Sequence, residues 1–142
     1  MDVSDLRQRI LRALEAGKPD APARQRAQID AAHAAYGRFL ETVAVPMLKQ
    51  AQDILKAEGH VFSVHTPADG ARLVSDGHPQ TFLEFALDLG ERPRVLGRVS
   101  INRRSRVTVE EQPIAPGKAI GDLTDDDVAA FFVTEIPKLV RR

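Results

Sequence analysis

The sequence predicts an α+β fold in which helices flank a five-stranded antiparallel β-meander, and three observations carry that prediction. Apolar residues recur at helical spacing up to Gly59. From His60 the pattern changes to strand-like alternation, punctuated at short intervals by turn residues. A last broad apolar helical face then closes the chain. The 142 residues suit one domain, helical over 1–59, antiparallel sheet over 60–112 and a C-terminal helix over 124–142 packed on the sheet.

Ser4 is placed to cap a first helix whose Leu6, Ile10, Leu11 and Leu14 share one face, and Gly17 with Pro19 ends it. Pro22 suits the first turn of a second helix running from about Ala23 to Glu58. Within it Ile29, His33, Tyr36, Leu40, Val43, Met47, Gln50 and Ile54 alternate spacings of four and three, the seam of a coiled coil or bundle, which calls for a partner helix. Pro46 lacks an amide donor and its ring collides with the preceding turn, so a kink is expected near Ala44–Val45. A helix this long would overhang the sheet that follows.

The strands read as His60–Thr66, Ala71–Asp76, Gln80–Leu89, Arg94–Asn102 and Ser105–Gln112, joined by Pro67-Ala68-Asp69-Gly70, Gly77-His78-Pro79, Gly90-Glu91-Arg92-Pro93 and a tight reversal at Asn102–Ser105. Alternation assigns Leu83, Phe85, Leu87, Val95, Val99, Ile101, Val107 and Val109 to the buried face. Glu84, Asp88, Arg94, Arg98, Arg106, Thr108 and Glu110 fall on the other face, interrupted by Phe82 and Leu96. In the final segment Thr124 and Asp127 have capping-box spacing, with Val128, Phe131, Phe132, Ile136, Leu139 and Val140 as the apolar face. Pro137 conflicts with that helix and is expected to bend it or end it early.

Several stretches have a further bearing: Glu58-Gly59-His60-Val61-Phe62-Ser63-Val64-His65-Thr66-Pro67, Arg72-Leu73-Val74-Ser75-Asp76, Gly97-Arg98-Val99-Ser100, and Leu123-Thr124-Asp125-Asp126-Asp127-Val128 with Phe131-Phe132. Together they resemble an uncharacterised family of small bacterial α+β proteins. The resemblance implies a bacterial cytosolic protein and brings no activity with it.

Composition narrows function mainly by exclusion. Twenty basic and twenty acidic residues leave no net charge, so any attraction to nucleic acid or an anionic membrane must be local. Without cysteine there is no disulfide framework, thiol nucleophile or thiolate metal site. The opening MDVSDLRQRI is charged and amphipathic, unlike a secretory leader, so the expected compartment is the cytoplasm.

No signature of catalysis emerges. His60 and His65, five positions apart on one strand, point to opposite faces and cannot share a metal ion. Ser75, Asp76 and His78 offer triad residue types but make a solvated turn, without the exposed elbow a nucleophilic serine needs. Gly117-Lys118 has Gln112 and Ala119 where a phosphate-binding loop requires glycine and a hydroxyl residue. Glu84 and Asp88 read as partners for cross-strand arginines, not as an acid and a base. His65 with Arg72 is the one polar pair on adjoining strands left for chemistry. No cofactor and no metal is expected, and no membrane contact.

The most informative feature is the run of Arg92, Arg94, Arg98, Arg103, Arg104 and Arg106 in one hairpin. Guanidinium forks match phosphate and carboxylate, making Arg94, Arg98, Arg103, Arg104 and Arg106 a possible partner or anion surface. Carboxylates close to the hairpin, and the lack of tyrosine or tryptophan near it for base stacking, weigh against nucleic acid. The leading expectation is therefore a non-enzymatic interaction or adaptor protein, homodimeric through the long helix. The alternatives are a small-ligand module with an apolar pocket near Phe62, Phe82, Phe85, Phe131 and Phe132 between sheet and C-terminal helix, and a nucleic-acid binder through the Arg92–Arg106 hairpin.

Overall fold

The computed structural model describes residues 2–17, 21–68 and 70–141, of which 15–17 and 21 are described by their backbone alone. In it a helical layer covers one face of a single antiparallel sheet. Helix α1 spans Val3–Gly17 and α2 Ala21–Phe39. A π-helical turn over Leu40–Ala44 joins α2 without a break to α3, Val45–Ala57. The strands follow as β1 Phe62–His65, β2 Ala71–Ser75, β3 His78–Asp88, β4 Arg94–Arg103 and β5 Arg106–Pro113, paired in chain order as a meander. A single 3-10 turn at Ile120–Asp122 precedes α4, Asp125–Val140. The α+β prediction holds element by element.

Pro46 accounts for the π turn. An α-helix would direct the missing Pro46 amide at the Thr42 carbonyl and drive the ring into it, whereas one wider turn, closed by Val45 N–H donating to Leu40 O, moves that carbonyl aside. The disturbance expected near Ala44–Val45 is thus a bulge inside a continuous helix. It also rotates the faces. The long helix buries Ala32, Tyr36, Phe39, Ala44, Leu48, Ala51 and Leu55, a stripe beside the expected seam, and leaves Ile54 65% exposed.

The core is centred on aromatic rings. Phe85 of β3 meets Phe39 edge-on at 5.6 Å between centroids and lies 6.0 and 6.2 Å from Phe131 and Phe132 of α4. Fully buried Leu48, Leu73, Leu83, Val95 and Val128 close the spaces around them. Of the phenylalanines expected to line an apolar pocket, Phe62, Phe85, Phe131 and Phe132 are buried in this core, while Phe82 sits on the opposite sheet face under the Arg72 guanidinium, 4.0 Å from its ring centre.

One face assignment is corrected. Two residues, Arg104 and Ser105, make the β4–β5 turn, and both have positive φ (52° and 65°), as a type I′ hairpin turn requires. Arg103 therefore pairs with Arg106, Ile101 with Thr108 and Val99 with Glu110. Arg106, Thr108, Glu110 and Gln112 consequently lie on the helix side and Val107 and Val109 on the open side, the reverse of the expected alternation; Val109 is 56% exposed.

The helices also protect the sheet's first edge. Gln52 Oε1 on α3 accepts a hydrogen bond from Val64 N–H at 2.9 Å, occupying a donor that β1 turns away from β2. Thr124 and Asp127 form the expected capping box, Thr124 N–H donating to Asp127 Oδ2 at 2.9 Å. Helix α4 continues through Pro137 to Val140 instead of ending early. Pro137 and Val133, one turn apart, lie on the exposed flank, where water can take the place of the lost amide donor. No described helix is long and apolar enough to cross a membrane.

Candidate functional site

A meander places alternate turns at the same end of its sheet, and this divides the arginine run. The β3–β4 turn with Arg92 lies at one end; the start of β1, the β2–β3 turn and the β4–β5 turn lie at the other. Strand alternation divides the run again, between the two faces.

Arg94 and Arg98 are on the open face and are engaged there. Arg94 Nε donates to Asp88 Oδ2 at 2.8 Å and, with the Gly90 amide, holds the Asp88 carboxyl below the usual range. Arg98 belongs to a row crossing the whole sheet in register: His65, Arg72, Glu84, Arg98 and Glu111. Arg72 meets Glu84 at 2.7 Å and Arg98 meets Glu111 at 3.0 Å and Glu84 at 3.8 Å. Charges alternate along this row, so the open face has little attraction for a polyanion. Arg72, the partner of His65, is committed to Glu84 on one side and Phe82 on the other. Arg106 is exposed opposite Arg103 at the hairpin end.

Arg103 and Arg104 instead border a cavity of about 760 Å³ at the sheet end, beneath the C-terminal turn of α4. His60 reaches it from the α3–β1 connection, His78 from the start of β3 and Arg141 from the end of α4. Phe62, Ile101, Leu139 and Val140 supply its apolar surfaces. No aspartate or glutamate is among its described lining residues, and no ion pair among the described residues engages Arg103, Arg104 or Arg141. Arg103 Nη2 donates to Lys138 O at 3.3 Å and so satisfies a carbonyl in the last turn of α4. The meeting of His60, His78, Asn102 and Arg141 at one opening was not legible in the sequence because they are distant in the chain; the alternation of turns about a meander is the signal that could have gathered the sheet residues among them.

A second feature lies on the helical layer. Met47, Gln50, Ala51, Ile54 and Leu55 of α3 face Ala129, Phe132, Val133, Ile136 and Pro137 of α4 across an open groove of about 430 Å³ whose walls are almost wholly apolar. Val133 is 76% exposed. The distal half of the expected seam, Met47, Gln50 and Ile54, forms one wall of it. Leu6, Ile10, Leu11 and Leu14 of α1 are also exposed, so the amphipathic face of that helix is uncovered.

Ser75 and His78 pair across the β2–β3 turn, and Asp76 Oδ1 accepts from Ser63 Oγ at 2.5 Å, an arrangement that tightens a hairpin and aligns no nucleophile. No group of three or more metal-capable side chains occurs among the described residues. No family model, curated protein or solved structure matches the chain.

Proposed function

We propose that the protein is a non-enzymatic interaction module of the bacterial cytoplasm that works as a homodimer, joined through its helical layer. The observation that carries the reading is the pair of uncovered apolar surfaces on one chain: the α3–α4 groove and the α1 stripe. The bacterial source rests on the family resemblance alone, and the cytoplasm on that resemblance together with the absence of cysteine.

The two surfaces suit each other. Leu6 to Leu14 spans about 12 Å of helix axis, as does Met47 to Leu55. An amphipathic helix laid in an apolar groove is a recurrent mode of recognition. Charge favours one direction: Asp125 and Asp126 begin α4, while Lys56 lies in the last turn of α3 at the far end of the groove. Helix α1 opens with Asp2 and Asp5 and continues with Arg7, Arg9 and Arg12. Running antiparallel to α3 and α4, the α1 of one copy sets acid against base at both ends of the groove of the other, with helix dipoles opposed.

Native mass spectrometry and light scattering test the reading. A dimer is expected, dissociated by Ile54→Glu with Val133→Glu and equally by Ile10→Glu with Leu14→Glu, without loss of helical circular dichroism. A wild-type monomer at about 100 μM, a concentration at which even a weak dimer of micromolar Kd assembles, overturns it.

A further inference from the structure

Beyond self-association, we infer that the cavity at the sheet end is a binding site for a small amphiphilic anion, one carboxylate or phosphate group carried on an apolar body. Three observations support it, each independent of the groove.

The first is charge. Arg104 and Arg141 have no ion pair among the described residues, in a chain with as many acidic as basic side chains, and Arg103, His60 and His78 stand around the same opening. Arg103 spends one donor on the last turn of α4, offsetting the negative end of that helix where it approaches the cavity. Planar guanidinium groups without a protein carboxylate are suited to bidentate contact with an oxyanion.

The second is shape and polarity. About 760 Å³ is within the range of small-molecule sites, and Phe62, Ile101 and Leu139 give the interior apolar contact that inorganic phosphate cannot use. Asn102 in the wall donates through Nδ2 to Gln80 Oε1 at 2.8 Å, which holds that side chain in place.

The third is backbone conformation. Arg104 holds φ at 52° in a turn where asparagine or glycine is the favoured choice. The hairpin imposes the left-handed φ but does not call for arginine, and a long cationic side chain accepted there stands at the mouth of a cation-rimmed cavity, where its guanidinium can serve a ligand.

Titration by isothermal calorimetry provides the test, using phenyl phosphate with inorganic phosphate and phenol as its separate halves, and phenylacetate with acetate and benzyl alcohol as its own. One of the two amphiphilic anions should saturate, about tenfold tighter or more than either half. Phenyl phosphate and phenylacetate tell phosphate from carboxylate recognition. Arg104→Asn should weaken that binding severalfold while leaving Tm unchanged or raised, an outcome a merely structural arginine would not give. Arg141→Ala should weaken it too, and Arg92→Ala, at the opposite end of the sheet, should not. Absence of saturation at about 10 mM, equal affinity for the amphiphile and its halves, or wild-type affinity in the Arg104→Asn, Arg141→Ala double variant overturns the assignment. So does preferential, steeply salt-dependent binding of a single-stranded oligonucleotide, which would make the arginines a nucleic-acid contact.

Discussion

Gly97 shows how one missing side chain positions a helix. It lies mid-strand in β4, where glycine is ordinarily unfavourable, yet a Cβ there would stand 2.3 Å from the Phe131 ring. The absent methyl lets Phe131 settle onto the sheet beside Phe85. Gly97→Ala should therefore cost about 1–3 kcal/mol by overpacking, although alanine is the better strand residue, and thermal unfolding will show Tm lowered by several degrees. Asp127 is a second residue with an outsized role. Its hydrogen bonds from Lys118 Nζ and from the Thr124 amide hold its carboxyl below the usual aspartate range. Stabilisation from a depressed carboxyl is present above its unfolded value and lost as pH falls through the folded one, so the start of α4 should loosen on the acid side of that value. Lys118→Ala should reduce this acid-side loss, visible as a flatter dependence of Tm on pH below pH 4.

Single elements explain why some of the molecule is legible in sequence and some is not. Helix α4 was readable because its capping box and apolar face are local, and the meander because glycine and proline mark its first three reversals. The facing of β5 was not. It depends on whether the β4–β5 turn holds two residues or three, and Arg104-Ser105 carries neither the asparagine nor the glycine that announces a type I′ turn. The seam of the long helix was misplaced for a related reason, since a π turn shifts every later residue around the axis and only Pro46 hints at it. The arginine run was visible as composition, but its separation into a neutralised row and a cavity rim required register. Strand β1 shows an element held by one distant side chain. Gln52→Ala leaves the Val64 amide without its acceptor and should cost about 1–2 kcal/mol, with hydrogen exchange at Val64 accelerated ahead of that in β3 and β4.

At the scale of the whole molecule, balanced charge makes salt a discriminating variable. With twenty cations against twenty anions, long-range steering is weak and added salt acts through local features. The open sheet face, neutral along its Arg72–Glu84–Arg98–Glu111 row, should respond little. A homodimer built from the α1 stripe and the α3–α4 groove buries mainly apolar surface, with charge only at the ends of the groove. Its dissociation constant should change by no more than about threefold between 50 and 500 mM sodium chloride, because apolar burial is only weakly salt-dependent. The anion binding proposed at the sheet end relies on guanidinium groups with no ion pair among the described residues and should weaken by about tenfold over the same range. Measured side by side, sedimentation equilibrium and calorimetry on one preparation separate the two processes. A dimer that dissociates steeply with salt would place the contact on charged side chains instead of the helical groove, whereas salt-indifferent anion binding would move the ligand away from Arg104 and Arg141.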